Sequence, residues 1–145
     1  MAAVLMDRTG LHAEDAFYTI HNYIDTDEMI LRKGAIAAHD SERVLIPVNM
    51  RDGSIIVVGK GNPDWNFAAP HGAARVMSRT SAKKNISLDE YKESMKDVYT
   101  TSVNEETLDE APMAYKSPGD IIGDIRSSVD VIEVMKPIYN FKASE

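Results

Sequence analysis

Cysteine is absent from the 145 residues, which excludes disulfides and thiolate metal sites within the chain. Histidine and carboxylate side chains are then what it can offer a metal. Such usage suits a reducing cytoplasm. No apolar run approaches the length that spans a bilayer, so no membrane role is expected. Met1 to Met6 is apolar, but it has no basic residues ahead of it and runs straight into Asp7 and Arg8, unlike a secretory signal. Repeats, low-complexity tracts and linkers are missing too, and with them any sign of a second domain. What is present is ordinary globular composition, 43% hydrophobic and 27% charged, sufficient for one core.

A net charge of −7 speaks against a non-specific nucleic-acid binder, but the charge is unevenly spread. Between residues 59 and 84, Lys60, Arg75, Arg79, Lys83 and Lys84 face Asp64 alone. Residues 85–130 reverse this, with eleven acids against four bases, a bias that reads as solvated helix faces. The basic stretch surrounds Ala69-Pro70-His71-Gly72-Ala73-Ala74-Arg75, which reads as a turn opening into a helix. Helix starts carry unpaired N–H groups and a partial positive charge, so an anion fits there. His71 would face it, and an imidazole can attack a phosphoryl group and hold it covalently. A histidine so placed is also an ordinary cap or a half-buried packing residue.

Along the chain, Leu11, Ala16, Phe17 and Ile20, with Glu14 and Asp15 between them, predict a helix over 7–20. His21-Asn22-Tyr23-Ile24 reads as a turn that buries Tyr23. His12 and His39 read as exposed polar positions. From Glu28 to Gly59 the texture is that of strands, at 29–31, 35–38, 44–48 and 54–58, with a turn at Arg51-Asp52-Gly53, which together predict a small antiparallel sheet. Arg32 and Lys33 could bring a cation to a phosphate or form a solvated strand end. The loop before His71 holds the single tryptophan, Trp65, expected to pin it. Ser87 and Glu90 form a capping box for a helix running to about Val98, with Leu88, Tyr91, Met95 and Val98 on one face. A short strand is expected at 98–103. The Asp109–Glu110 pair is open to a catalytic, solvated or structural reading. Ser117 and Pro118 start another helix, with Ile121, Ile122, Ile125 and Val129 as its buried stripe. Residues 131–141 read as strand, with Pro137 as an edge or bend. The fold class is therefore α+β.

Several segments, in order, resemble one family, the RtcB-type RNA ligases. They are His21-Asn22-Tyr23, Arg32-Lys33-Gly34-Ala35, Ile46-Pro47-Val48-Asn49-Met50, the stretch around His71, Leu108 to Pro112 with Ala114-Tyr115-Lys116, and Lys136 to Ala143. The resemblance covers nearly the whole chain, and five or six ordered motifs are specific. It implies the C-terminal portion of an RtcB-like mixed α+β fold over residues 1–145, and joining of RNA 3′-phosphate or 2′,3′-cyclic phosphate ends to 5′-hydroxyl ends, as in tRNA splicing and RNA repair. Cofactors implied are GTP and Mn(2+). His71 would be the guanylylated residue, His21 a manganese ligand, and Asn22 a neighbour of the nucleotide. Pro47, Val48, Asn49, Met50 and Ser54 would line the guanosine, with Gly72, Ala73 and Ala74 offering backbone donors behind His71. Tyr115 would lie against the nucleotide, Lys142 would read the guanine, and Arg75 and Lys33 would sit near phosphates. His21, His71 and Lys142 are expected to converge on one face.

Two departures stand out. Ala74 replaces the second glycine of the family's His-Gly-Ala-Gly-Arg motif, which leaves either a crowded phosphate cradle or a backbone with no need for positive φ. The family's other metal ligands belong to an N-terminal half, so the isolated chain is expected to be inactive and to expose apolar surface. A non-catalytic guanine-nucleotide or RNA-binding remnant, and a phosphohistidine carrier without guanine preference, are the rival readings.

Overall fold

The computed structural model describes residues 2–13 and 15–142. Glu14 of the expected first helix and Ala143 of the last motif lie outside them. Helix α1 spans Ala2–Thr9, not 7–20. Gly10 ends it, taking a left-handed φ of 70° and donating its N–H to the Met6 carbonyl, a common helix stop. The following segment is not helical because its polar groups bond sideways to a strand. Thr19 Oγ1 accepts from the Leu45 N–H at 3.1 Å, Arg43 pairs with Asp15, and the Arg43 guanidinium lies 4.1 Å from the Phe17 ring centre.

Strands β1 (His21–Asp25) and β2 (Ile30–Ala37) form an antiparallel hairpin, so residues 21–24 are strand rather than turn, with Tyr23 half-buried. The turn is further along. There Asp25 Oδ1 accepts from the N–H groups of Asp27 and Glu28. The strand expectations at 29–31 and 35–38 merge into β2, which also pairs with β5 (Ala68–Pro70). Strands β3 (Arg43–Asn49) and β4 (Gly53–Gly59) form the expected antiparallel pair. Asn49 Oδ1 caps the intervening turn by accepting from the N–H groups of Arg51 and Asp52. Gly53 closes the turn at φ 78°, and a Cβ there would lie 2.0 Å from the Met135 carbonyl oxygen, so no other residue fits.

Further on come α2 (Arg79–Asn85), α3 (Leu88–Ser94), β6 (Tyr99–Thr100), α4 (Pro118–Ile125), β7 (Val129–Met135) and β8 (Tyr139–Asn140). Both halves of the Ser87–Glu90 capping box are formed, and Ser87 is backed by a helix of the expected type that stops at Ser94, short of Val98. Ser117 caps α4 with Pro118 in its first turn. The strand expected at 98–103 shrinks to β6, which pairs in parallel with β8. The stretch expected as strand at 131–141 divides at Pro137 into β7 and β8. Strand β7 adds to β4, giving the order β3-β4-β7 beside the sheet β1-β2-β5.

Two cores result. In the first, alternate residues Val44, Ile46 and Val48 of β3 and Ile55 and Val57 of β4 pack with Ile36, Ala69, Val129 and the α4 stripe Ile121 and Ile125, as period-two and helical spacing require. The second gathers Met50, Ala82, Ile86, Tyr91, Met95, Val98, Ala111 and Ala114. Tyr91, fully buried, donates its hydroxyl to Met50 Sδ at 3.0 Å. Outside the cores, β7 exposes Val131, Ile132, Val134 and Met135. Val131 and Val134 lie opposite core residues Val57 and Ile55, so this edge leaves a core-facing row uncovered. Among the described residues no helix is long and apolar enough to cross a membrane.

Candidate active site

His71 does not open a helix. Strand β5 ends at Pro70, and α2 begins only at Arg79, capped by Ser78. The reason is long-range pairing of the intervening backbone. Ala73 donates to the Pro47 carbonyl, Val76 and Met77 to that of Ala114, and the Ala74 carbonyl accepts from Lys116. The helix-start cradle is therefore absent, and the N–H groups of His71 and Ala73 are spent on Gly34 and Pro47 carbonyls. Gly72 packs its Cα so close to Pro47 that a Cβ would sit 3.2 Å from that carbonyl oxygen.

The loop instead seats His71 against a bulge between β1 and β2. The register shifts between His21 and Tyr23, leaving Asn22 opposite Lys33, Gly34 and Ala35. Asn22 takes φ 55° and its Oδ1 accepts from the Gly34 N–H at 2.7 Å. Gly34 takes φ 69°, with the His71 ring 3.9 Å from where its Cβ would be. The imidazoles of His21 and His71 stack with centroids 5.2 Å apart and planes 20° from parallel. Together with Pro47, Phe17 and Tyr18 they line a cavity of about 310 Å³. Lys33, beside Gly34, is exposed, and its ammonium has no ion-pair or hydrogen-bond partner among the described residues.

A second cluster lies on the other side of the His71 loop. Asp109 and Glu110, in a pair of 3₁₀ turns (Leu108–Glu110 and Pro112–Ala114), are buried rather than solvated. Glu110 accepts from the Tyr115 hydroxyl at 2.7 Å and pairs with Lys142 and Arg75, each at 3.0 Å. Arg79 bonds Asp109 at 2.7 Å and Lys83 sits 3.5 Å from it. Burial pushes both carboxyl pKa values up, but Lys83 and Arg79 outweigh it at Asp109, and Tyr115, Lys142 and Arg75 outweigh it at Glu110, so both end below the ordinary range. Burial and the Glu110 charge push the Tyr115 phenol well above its usual value. The local excess of cations around His71 is thus largely neutralised from a distant segment.

Several residues expected at the site have other occupations. Arg75 gives Nη1 to the Asp109 carbonyl and Nη2 to Glu110 and Tyr115, and stacks 4.6 Å from the Tyr115 ring centre. It braces the loop. Val48 and Met50 put their side chains into the two cores, so only their backbone could face a ligand, and Asn49 is engaged in its turn. Ser54 is half-buried opposite Pro47. Lys142 lines a different cavity from the two histidines, alongside Arg79, Lys83 and Glu110. The expected convergence of His21, His71 and Lys142 on one cavity does not occur. The Arg75–Tyr115 bridge joins the two clusters.

Sequence reasoning missed a third group. Arg32 is fully buried, not a solvated strand end. It reaches Glu28 at 2.7 Å and the Asn66 carbonyl at 2.9 Å. His39 lies between Glu28 and Glu42, at 2.6 and 2.8 Å, stacked on Phe67. A signal was available in Arg32, a charge at a buried phase of the strand. Accepting from the ring, Glu42 and then Glu28 raise the His39 pKa above its ordinary 6.5. A raised folded-state pKa stabilises the fold fully below the unfolded value and loses that contribution as pH rises through the folded one. Urea unfolding is therefore expected to show stability falling from about pH 6 to 8, and His39→Gln should flatten that slope.

A family model described as tRNA-splicing ligase RtcB matches residues 2–143. The chain belongs to the RtcB family. The RNA-splicing ligase RtcB of Escherichia coli (strain K12) is 36% identical over 121 residues, covering 79% of this chain and 29% of that protein. The tRNA-splicing ligase RtcB of Aeropyrum pernix is 36% identical over 103 residues, covering 66% of this chain and 21% of its own length. The chain thus spans less than a third of these relatives. Of the RtcB features, Ala74 causes no strain, since it is not among the residues with positive φ. A manganese site is another matter. Among the described residues no three His, Asp or Glu side chains come together as a metal would need, so His21, even with His71 beside it, does not make one.

Proposed function

We propose that this chain carries the guanylyl-transfer part of an RtcB-type RNA ligase, with His71 as the residue that holds GMP. The observation that supports the reading best is the His21–His71 stack set against the Asn22–Gly34 bulge, with the unpartnered Lys33 ammonium next to it. The stack fixes the His71 ring, and the bulge brings a bare main chain close to it, leaving room for a phosphate. A lone pair of the His71 imidazole attacks the α-phosphorus of GTP. The N–P bond forms as the bond to the bridging oxygen breaks, pyrophosphate departs with that electron pair, and the ring loses its N–H proton. Lys33 offsets charge on the phosphates. An oxygen of the RNA 3′-phosphate then takes the GMP, freeing His71, and the 5′-hydroxyl of the second RNA displaces GMP to close the phosphodiester.

Manganese is the family's metal in this reading, but the residues present do not complete a site for it, and the remaining ligands would come from a partner portion of the ligase. The uncovered row on β7 offers apolar surface for such a portion. The setting suited to this chemistry is the cytoplasm. The reading is tested by equilibrium binding of GTP and ATP. GTP is expected to bind about tenfold or more tighter than ATP, His71→Ala should retain that preference, and Lys142→Ala should remove it. Equal binding of the two nucleotides by the unaltered chain would contradict a guanosine site.

A further inference from the structure

The largest cavity in the molecule, about 460 Å³, has no part in the site described so far. Its floor is apolar, made by Ala69 of β5 and by Ile121 and Ile125 of α4, and its rim carries Lys33, Trp65 and the ion pair of Lys116 with Asp124 at 2.9 Å. Gly34 and Gly72 also line it. Gly34 is the residue whose missing Cβ faces the His71 ring, so a single glycine forms the wall between cavity and imidazole.

Trp65 was expected to pin its loop, and it does not. Its side chain is 56% exposed, and the loop is held by others. Asn62 caps the 3₁₀ turn Pro63–Trp65 and donates to the Ser127 carbonyl. Lys60 donates to the Arg126 carbonyl, and the buried Arg32 donates to the Asn66 carbonyl. Asn66 and Phe67 are both non-glycine residues at left-handed φ, 51° and 52°, a costly backbone that persists only where its surroundings impose it. The fold thus fixes an indole at a cavity mouth without using the indole for packing. A rigid exposed aromatic beside an unpartnered ammonium and an apolar floor matches a ligand with one flat ring and one negative charge.

We propose that this cavity receives the terminal nucleotide of a single-stranded RNA end, its base stacked on Trp65 and its 3′-phosphate on Lys33. The proposal rests on the reading of His71 as the GMP carrier, because that reading requires an RNA 3′-phosphate to approach this loop. The arrangement presents the phosphate across the Gly34 wall from His71, while the base is read by stacking alone and so with little sequence preference.

Trp65 is the sole tryptophan, so its fluorescence reports on this cavity directly. Titration with a short oligouridylate ending in a 3′-phosphate is expected to quench it saturably. Anisotropy of a 5′-labelled oligomer should show Trp65→Ala binding about tenfold more weakly, with Trp65→Phe restoring most of the loss. Lys33→Ala should weaken the 3′-phosphate oligomer about tenfold while leaving its 3′-hydroxyl counterpart little changed. Unchanged fluorescence at saturating RNA would overturn the proposal, as would equal loss for both oligomers in Lys33→Ala. Formation of the GMP adduct is read separately by mass. An adduct without quenching removes the cavity assignment and leaves the His71 reading standing, whereas quenching without an adduct does the reverse.

Discussion

Replacing Glu110 by alanine is expected to cost about 3 kcal/mol of folding stability, read as a lower urea midpoint with an unchanged slope. One buried carboxylate satisfies the Tyr115 hydroxyl, the Arg75 guanidinium and the Lys142 ammonium. Removing it leaves a half-buried phenol and a half-buried guanidinium without their acceptor, and a positive cluster formed by Arg75, Arg79 and Lys83 with Asp109 as its remaining counter-charge. Glu110→Gln keeps an acceptor of the same shape and should cost far less, about 1 kcal/mol. Lys142→Ala removes a partner that is itself 44% exposed, and should cost under about 1 kcal/mol. The order of the three variants is what distinguishes a buried hub from a set of surface pairs. Acid should reproduce the effect. The lowered pKa values of Asp109 and Glu110 contribute stability above the ordinary carboxylate range, and that contribution is lost as pH falls below about 4.

The same hub shows what local sequence can and cannot convey. Helix caps were legible because all their atoms lie within one turn: Ser87 with Glu90, and Ser117 with Asp120. The strands of 30–59 were legible because alternation and the Arg51-Asp52-Gly53 turn are local too. Whatever depended on distant partners was not. The burial of Asp109 and Glu110 is decided by Arg75, Arg79, Lys83 and Lys142, that of Arg32 by Glu28 and Asn66, and the non-helical path after His71 by the carbonyls of Pro47 and Ala114. The helix placed at 7–20 failed on a local signal that was there to use, Gly10, whose left-handed stop outweighs the weak apolar spacing beyond it. As for the site, the ordered motifs indicated the family and the importance of His21, Asn22 and His71. The bulge that brings these together, and the diversion of Arg75, Val48 and Met50 to bracing and packing, arise from pairing across the chain.

Loss of the adduct in His71→Ala is the other large effect expected. A substitution that removes the attacking nitrogen removes the covalent step outright, because the remaining imidazole, His21, lies beside His71 with its ring stacked rather than aimed along the same approach. The substituted side chain is half-buried in a loop fixed by backbone bonds, so the fold is expected to survive the change, and retained GTP binding serves as the control. The measurement is the intact mass of the chain after incubation with GTP and Mn(2+), with the N-terminal portion of a relative supplied in trans, run beside His71→Ala. The account predicts an increase of one GMP, labile to acid as a phosphoramidate should be, and no increase in the variant. An adduct that persists in His71→Ala, or none in the complemented chain although GTP is bound, would contradict it.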